Sequence, residues 1–194
     1  MKPAIGLPTS LSFLLVMTAL LGIAYPLTVT GLAQALFPSQ ANGSLLVVNG
    51  AVRGSALLAQ KFESARFFQA RPSATDYAWV GSGASNLAAT NPVLASLVEA
   101  RRAAWSARFA GPPPADMLYS SASGLDPDIS LEAALGQVDS VAQARKIAGP
   151  AKERLITLIA QSAERQAGIL GPPRVNVVEL NARLETDPDF ATTR

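Results

Sequence analysis

Neither cysteine nor histidine occurs anywhere in this chain of 194 residues. That double absence excludes disulfides, thiol nucleophiles, Ser-His-Asp triads and ordinary zinc sites together. It does not fix a compartment, but it lets the chain fold in an oxidising one without mispaired thiols. A phosphate-cradling Gly-x-x-x-x-Gly-Lys-Ser/Thr run is missing as well. Gly81-Ser82-Gly83 lacks the third glycine and the helix context of a dinucleotide site. Asp126, Asp128 and Ser130 imitate the first ligands of a calcium loop, yet Leu131 stands where that loop needs glycine and Gln137 where it needs glutamate. Basic runs interleaved with aromatics are also lacking. With 16 Lys and Arg against 14 Asp and Glu, and Lys2 ahead of the first apolar block, the remainder is near neutral, which excludes nucleic acid as a partner.

What the chain does have is one long uncharged apolar run from Leu11 to about Leu32. Roughly 22 residues at 1.5 Å each span about 33 Å, the thickness of a bilayer core. A cleaved secretory signal competes, since Ala33-Gln34-Ala35 resembles a cleavage site, but the run exceeds the usual length of a signal core. Lys2 precedes the span and no basic residue follows until Arg53, which places the amino terminus in the cytoplasm and the bulk of the chain outside. Within the span Thr18, Gly22, Pro26 and Thr30 recur every fourth residue, forming a stripe of small or polar side chains on which a second membrane helix can pack. Pro26 is expected to kink the helix or free a carbonyl.

After a polar linker (37–43), Ser44 to Val48, Asn49-Gly50 and Ala51 to Arg53 read as a hairpin with a two-residue turn. Phe62, Phe67 and Phe68 lead into an extended stretch ending at Arg71-Pro72. Asp76 to Asn91 reads as a long loop, and long loops in compact domains are often functional. Asn91 and Pro92 open a helix whose buried face holds Leu94, Leu97, Val98 and Trp105. Gly111 and three prolines stop it, and Met117 to Tyr119 reads as a short strand. Short helices are expected over Leu131 to Leu135 and Val141 to Ile147, broken near Gly136. Pro150 opens a longer helix with Leu155, Ile156, Leu158 and Ile159 in its core stripe, ended by Gly168 and Gly171-Pro172-Pro173. Asn176 and Glu179 have capping-box spacing before a last helix, Val177 to Leu184. The predicted fold is α+β. Residues 1–10 form a short cytoplasmic amino terminus, 11–36 a transmembrane anchor, and 37–194 a single helix-rich soluble extracytoplasmic domain with a few short strands.

Ser123-Gly124-Leu125-Asp126-Pro127-Asp128-Ile129-Ser130 is the densest signal. Gly124 permits a positive φ, Asp126 before Pro127 favours a turn, and Ser130 can cap the following helix with Glu132 in its first turn. It is accompanied in order by Arg71-Pro72-Ser73-Ala74, Ser85-Asn86-Leu87, Asn91-Pro92, Gln137-Val138, Val141-Ala142-Gln143-Ala144-Arg145 and the run from Arg174 to Asn181. This ordered set resembles the KdpC family, the small C subunit of the Kdp potassium-transporting P-type ATPase, from the apolar segment to about Leu184. Two positions depart from the family pattern: Asp128 stands where a histidine is usual, and Ala84 where a glycine is usual.

The resemblance implies a non-catalytic accessory subunit in the bacterial inner membrane. It would stabilise assembly of a channel-like potassium subunit with an ATP-hydrolysing one, and raise the latter's affinity for ATP. The Asp-Lys-Thr-Gly phosphorylation motif of P-type ATPases is absent, so this chain cannot itself form the aspartyl phosphate. No cofactor is expected, ATP entering only through the partner subunit. Leu135-Gly136-Gln137 makes Gln137 the candidate nucleotide contact, against the plainer reading that its amide bonds backbone near Gly136. The partner-facing candidates are Thr18, Gly22, Pro26 and Thr30 in the membrane, and Arg71, Ser73, Ser85, Asn86, Asp126 and Asp128 in the polar loops. For Arg71 an internal clamp to Asp126 is the rival to an interface anchor. The alternative function is a free-standing, membrane-anchored periplasmic binding or hydrolytic protein, whose Ser-Lys dyad would have to use Lys61, Lys146 or Lys152.

Overall fold

Apolar side chains without a charge to interrupt them favour continuous helix. In the computed structural model, which describes residues 6–166 and 171–190, helix begins at Leu7. The Leu7–Leu36 segment is 30 residues long, enough to cross a bilayer. It consists of α1 (Leu7–Ala19), a single π turn (Leu20–Ala24) and α2 (Tyr25–Leu36). The π turn lies just ahead of Pro26, whose ring would otherwise meet the carbonyl one turn back, and the Tyr25 N–H donates to Leu20 O. The start at Leu7 extends the segment four residues before the uncharged run predicted from Leu11. Lys2 and Gly168 lie outside the described residues.

The linker is more ordered than its polar composition suggests. A helical turn, α3 (Pro38–Ala41), brings Asn42 back beside the last turns of α2, where its amide pairs with that of Gln34 at 3.1 and 3.3 Å. The Ser44 N–H then donates to Ser39 O at 2.9 Å. The chain divides here into two units, residues up to Ser44 and residues from Leu45 on.

The second unit opens with the predicted hairpin, β1 (Leu45–Val48) and β2 (Ala51–Ser55). Asn49 and Gly50 both take positive φ, 52° and 78°, as a two-residue turn matched to strand twist requires. A bulge between Leu46 and Val47 shifts the register. Residues 56–91 contain no regular element. Asn91 caps α4 (Pro92–Arg108) by accepting from the Val93 N–H. Of the predicted apolar face only Trp105 is buried; Leu97 is exposed.

Two predictions fail next. Met117 to Tyr119 is not a strand: Ala115–Leu118 forms a helical turn, α5, that opens at Pro114 and carries Asp116 in its first turn. Nor does Gly136 break a helix, since α6 runs unbroken from Leu131 to Arg145. Glycine is needed there for packing, because a Cβ would sit 2.9 Å from the Trp105 ring. Ser130 caps α6, accepting from the Ala133 N–H, and Lys146 closes it in a left-handed conformation. After Gly149 come α7 (Pro150–Gln166) and α8 (Val177–Thr186), the latter capped by Asn176, whose Oδ1 accepts from the Val178 and Glu179 N–H groups.

A three-residue pair that escapes sequence reading, β3 (Asp128–Ser130) and β4 (Arg174–Asn176), joins antiparallel with Ile129 opposite Val175. Their side chains meet Val141 of α6, Leu155 and Ile159 of α7, and Leu180 and Leu184 of α8 in one core. Burying each such aliphatic side chain stabilises the fold by about 1.5–3 kcal/mol.

Candidate functional site

The polar loops of the sequence meet around Gly124. Its φ is +70°, and an added Cβ would lie 2.6 Å from Thr75 Oγ1 and 2.8 Å from the Gly83 carbonyl oxygen, so only glycine lets the three segments cross. The Gly83 N–H donates to Ser123 O at 2.8 Å and Ser82 Oγ to the same oxygen at 3.0 Å. On the other side the Ser121 N–H donates to Pro72 O. Ser73 Oγ accepts from the Thr75 and Tyr77 N–H groups, which rounds the chain after Pro72. Ser85 and Asn86, one turn further along, are exposed, and Asn86 has a φ of 52°.

Arg71 and Asp126 close this crossing with an ion pair of 3.0 Å, their side chains 20% and 28% exposed. Asp126 Oδ1 also accepts from the Asp128 N–H, an Asx turn that sets the chain for β3. The Pro127 carbonyl accepts from the Val177 N–H. The internal clamp is therefore the contact that Arg71 makes within this chain.

Asp128 sits half-buried beside it, with Oδ1 buried and lacking a hydrogen-bond partner among the described residues. Burial raises its pKa, and the Asp126 carboxylate raises it further against the opposing pull of Arg174. The Asp128 carboxyl thus lies close to the like-charged Asp126 of the ion pair, which disfavours its ionised form.

The Gln137 side chain is fully buried, and its amide is occupied within the domain. Oε1 accepts from the Gln69 N–H at 2.7 Å and Nε2 donates to Gln69 O at 3.2 Å. Asn181 treats the neighbouring Phe68 the same way, at 2.9 Å in both directions. Arg145 completes the set. Its Nε donates to Arg66 O, its Nη1 to Leu184 O and Phe190 O, and its guanidinium lies over the Phe67 ring. Burial, with Arg66 nearby, lowers the Arg145 pKa to about 10, so it stays charged at neutral pH. The stretch before Arg71 that was predicted as extended forms no strand; side chains of α6 and α8 bond its main chain. Arg145 and Asn181 were not singled out by sequence reasoning. The signal was a spacing: Gln137, Val141 and Arg145 recur every fourth residue on one face of α6.

In the first unit Thr18, Gly22, Pro26 and Thr30 are all exposed along the apolar helix. The three lysines that a hydrolytic dyad would need serve the surface: Lys61 pairs with Asp76, Lys152 with Asp139, and the exposed Lys146 ends α6.

Comparison with known proteins falls on this same set of residues. The family model described as KdpC, K+-transporting ATPase, c chain, matches residues 7–186. This chain belongs to the KdpC family. The match takes in the apolar helix, every loop at the crossing and both amide clamps, and it ends with the last residue of α8. Among curated KdpC subunits of potassium-transporting ATPases, that of Allorhizobium ampelinum is 49% identical over 172 residues, covering 87% of this chain and 89% of the relative. That of Burkholderia orbicola is 49% identical over 178 residues, 88% of this chain and 90% of the relative. That of Pseudomonas syringae pv. tomato is 47% identical over 180 residues, 92% of each. As a KdpC family member, the chain is a subunit-type protein with one candidate membrane span and a mixed α+β domain.

Proposed function

We propose that this chain is a non-catalytic, single-pass accessory subunit of an ATP-driven potassium importer, holding a channel-like subunit and an ATP-hydrolysing subunit together. The observation that carries the reading is how the family-matching polar residues are used. Arg71, Asp126, Gln137, Arg145 and Asn181 all bond within the domain, so they build a shape and leave no assembled set of reactive groups. Any rise in ATP affinity of the hydrolysing subunit is then transmitted through subunit contacts and not through Gln137. The four small residues of the apolar helix are the membrane contact, and exposed Ser85 and Asn86 are the loop residues free to meet a partner. The amino terminus is cytoplasmic and the larger unit periplasmic in the inner membrane. Lys2 before the span, with no basic residue until Arg53, supports that orientation.

Co-purification from mild detergent tests the assembly role. The chain alone is expected to hydrolyse no ATP, and a complex prepared without it is expected to lose potassium-stimulated ATPase activity. Full activity in its absence refutes the proposal. For orientation, a single cysteine at Pro113 is expected to react with an impermeant thiol reagent on spheroplasts; labelling only after lysis reverses the topology.

A further inference from the structure

A strand with one face in water ordinarily alternates apolar inside with polar outside. The β1–β2 hairpin does not. Its inner residues are apolar, Val48 being buried and Leu46 lining a cavity of about 270 Å³ against Val178 and Ala182 of α8. Its outer residues are apolar as well: Leu45, Val47 and Val52 are 53%, 59% and 60% exposed. Leu45 and Val47 share a face by the two-residue period, and Val52 is the cross-strand partner of Val47, so the three form one patch. Arg53, the residue passed over by the bulge, lines the inner cavity with Leu46 and Val48.

The position of this patch in the chain says what covers it. Asn42 is hydrogen-bonded to Gln34 in the last turns of the apolar helix, so the chain leaves that helix at the level of its end. Leu45 follows three residues later, a covalent reach of at most about 11 Å. That short tether keeps Leu45 within reach of the layer in which the helix ends, and an apolar face held there is suited to the lipid interface.

We propose that the outer face of this hairpin, Leu45, Val47 and Val52, rests in the interfacial layer of the bilayer and forms a second lipid contact beyond the spanning helix. The proposal rests on the reading that Leu7–Leu36 crosses the membrane. Because the chain has no cysteine, single-cysteine variants can be labelled cleanly. Fluorophores at Val47→Cys, at Ile23→Cys in the helix and at Pro113→Cys are compared in the assembled complex in proteoliposomes. Two quenchers are used, a lipid carrying a shallow or deep nitroxide and aqueous iodide. The expected result is that the label at position 47 loses most of its emission to the shallow lipid quencher. The label at 23 should respond to the deep one, and the label at 113 to iodide only. A label at 47 quenched only by iodide, or shielded from both quenchers by a partner subunit, overturns the proposal while position 23 still reports the span. A label at 23 that no lipid quencher reaches overturns the spanning reading and the proposal with it.

Discussion

Replacing Gln137 with alanine separates two roles for one side chain. The amide satisfies both the N–H and the carbonyl of Gln69 in a fully buried setting. Truncation leaves a buried donor and a buried acceptor without partners, each costing about 1–3 kcal/mol, so the loss should total about 2–6 kcal/mol. For a chain of this size that corresponds to about 5–20 °C in melting temperature. Thermal unfolding of the full chain in detergent, followed by Trp fluorescence, measures it, since Trp105 is buried against Gly136, the residue just before Gln137. Asn181→Ala provides the internal comparison. It strips the same two groups from Phe68 and should lower stability by a similar amount. The reasoning is refuted if Gln137→Ala melts like the parent. It is also refuted if that variant alone, at unchanged stability, raises the KM for ATP of the assembled complex, because a nucleotide contact would produce that pattern.

Three further outcomes follow from the loop crossing. A double-mutant cycle on Arg71→Ala and Asp126→Ala should give a coupling of about 1–3 kcal/mol in chemical denaturation, between the exposed and fully buried limits for an ion pair. Zero coupling with lost co-purification would make Arg71 an interface anchor instead. Gly124→Ala should cost about 2–5 kcal/mol, combining a left-handed φ with a Cβ pressed on Thr75 and the Gly83 carbonyl, and a normal melt would exclude the crossing as drawn. Asp128→Asn should stabilise the domain at neutral pH. Burial raises the folded pKa of Asp128 above its ordinary 3.8, so the folded state binds the proton more readily and wild-type stability falls as pH rises through the folded pKa. The gap between variant and parent should therefore close as pH drops below that ordinary value, and a pH-independent gap would contradict the assignment.

Much of the fold was legible because its signals are local. Asn49-Gly50 dictates its turn, and Asn91, Ser130 and Asn176 each cap the helix that follows. What escaped is long-range. The β3–β4 pair joins three-residue strands more than forty positions apart, too short to show a period. Gly136 reads as a breaker until the Trp105 ring explains it. Gln137 reads as a nucleotide contact or a bond to backbone near Gly136, and Asn181 and Arg145 have no assigned partner, because what all three bind is the main chain of a segment with no pattern of its own. The three loops were named as candidate partner-facing stretches, whereas their crossing at Gly124 and its bonding were visible only in three dimensions.

The π turn before Pro26 has a consequence for the helix as a timing device. On a regular α-helix, residues twelve apart are rotated about 120° from one another, so Thr18 and Thr30 would face different neighbours. One π turn inserts in effect a single residue, delaying rotation by about 100° and bringing both threonines to within about 20° of the same direction. Winding Leu20–Ala24 as regular α-helix at unchanged chain length would turn the two halves of the small-residue stripe about 100° away from each other. A partner helix could then grip one half or the other, but not both.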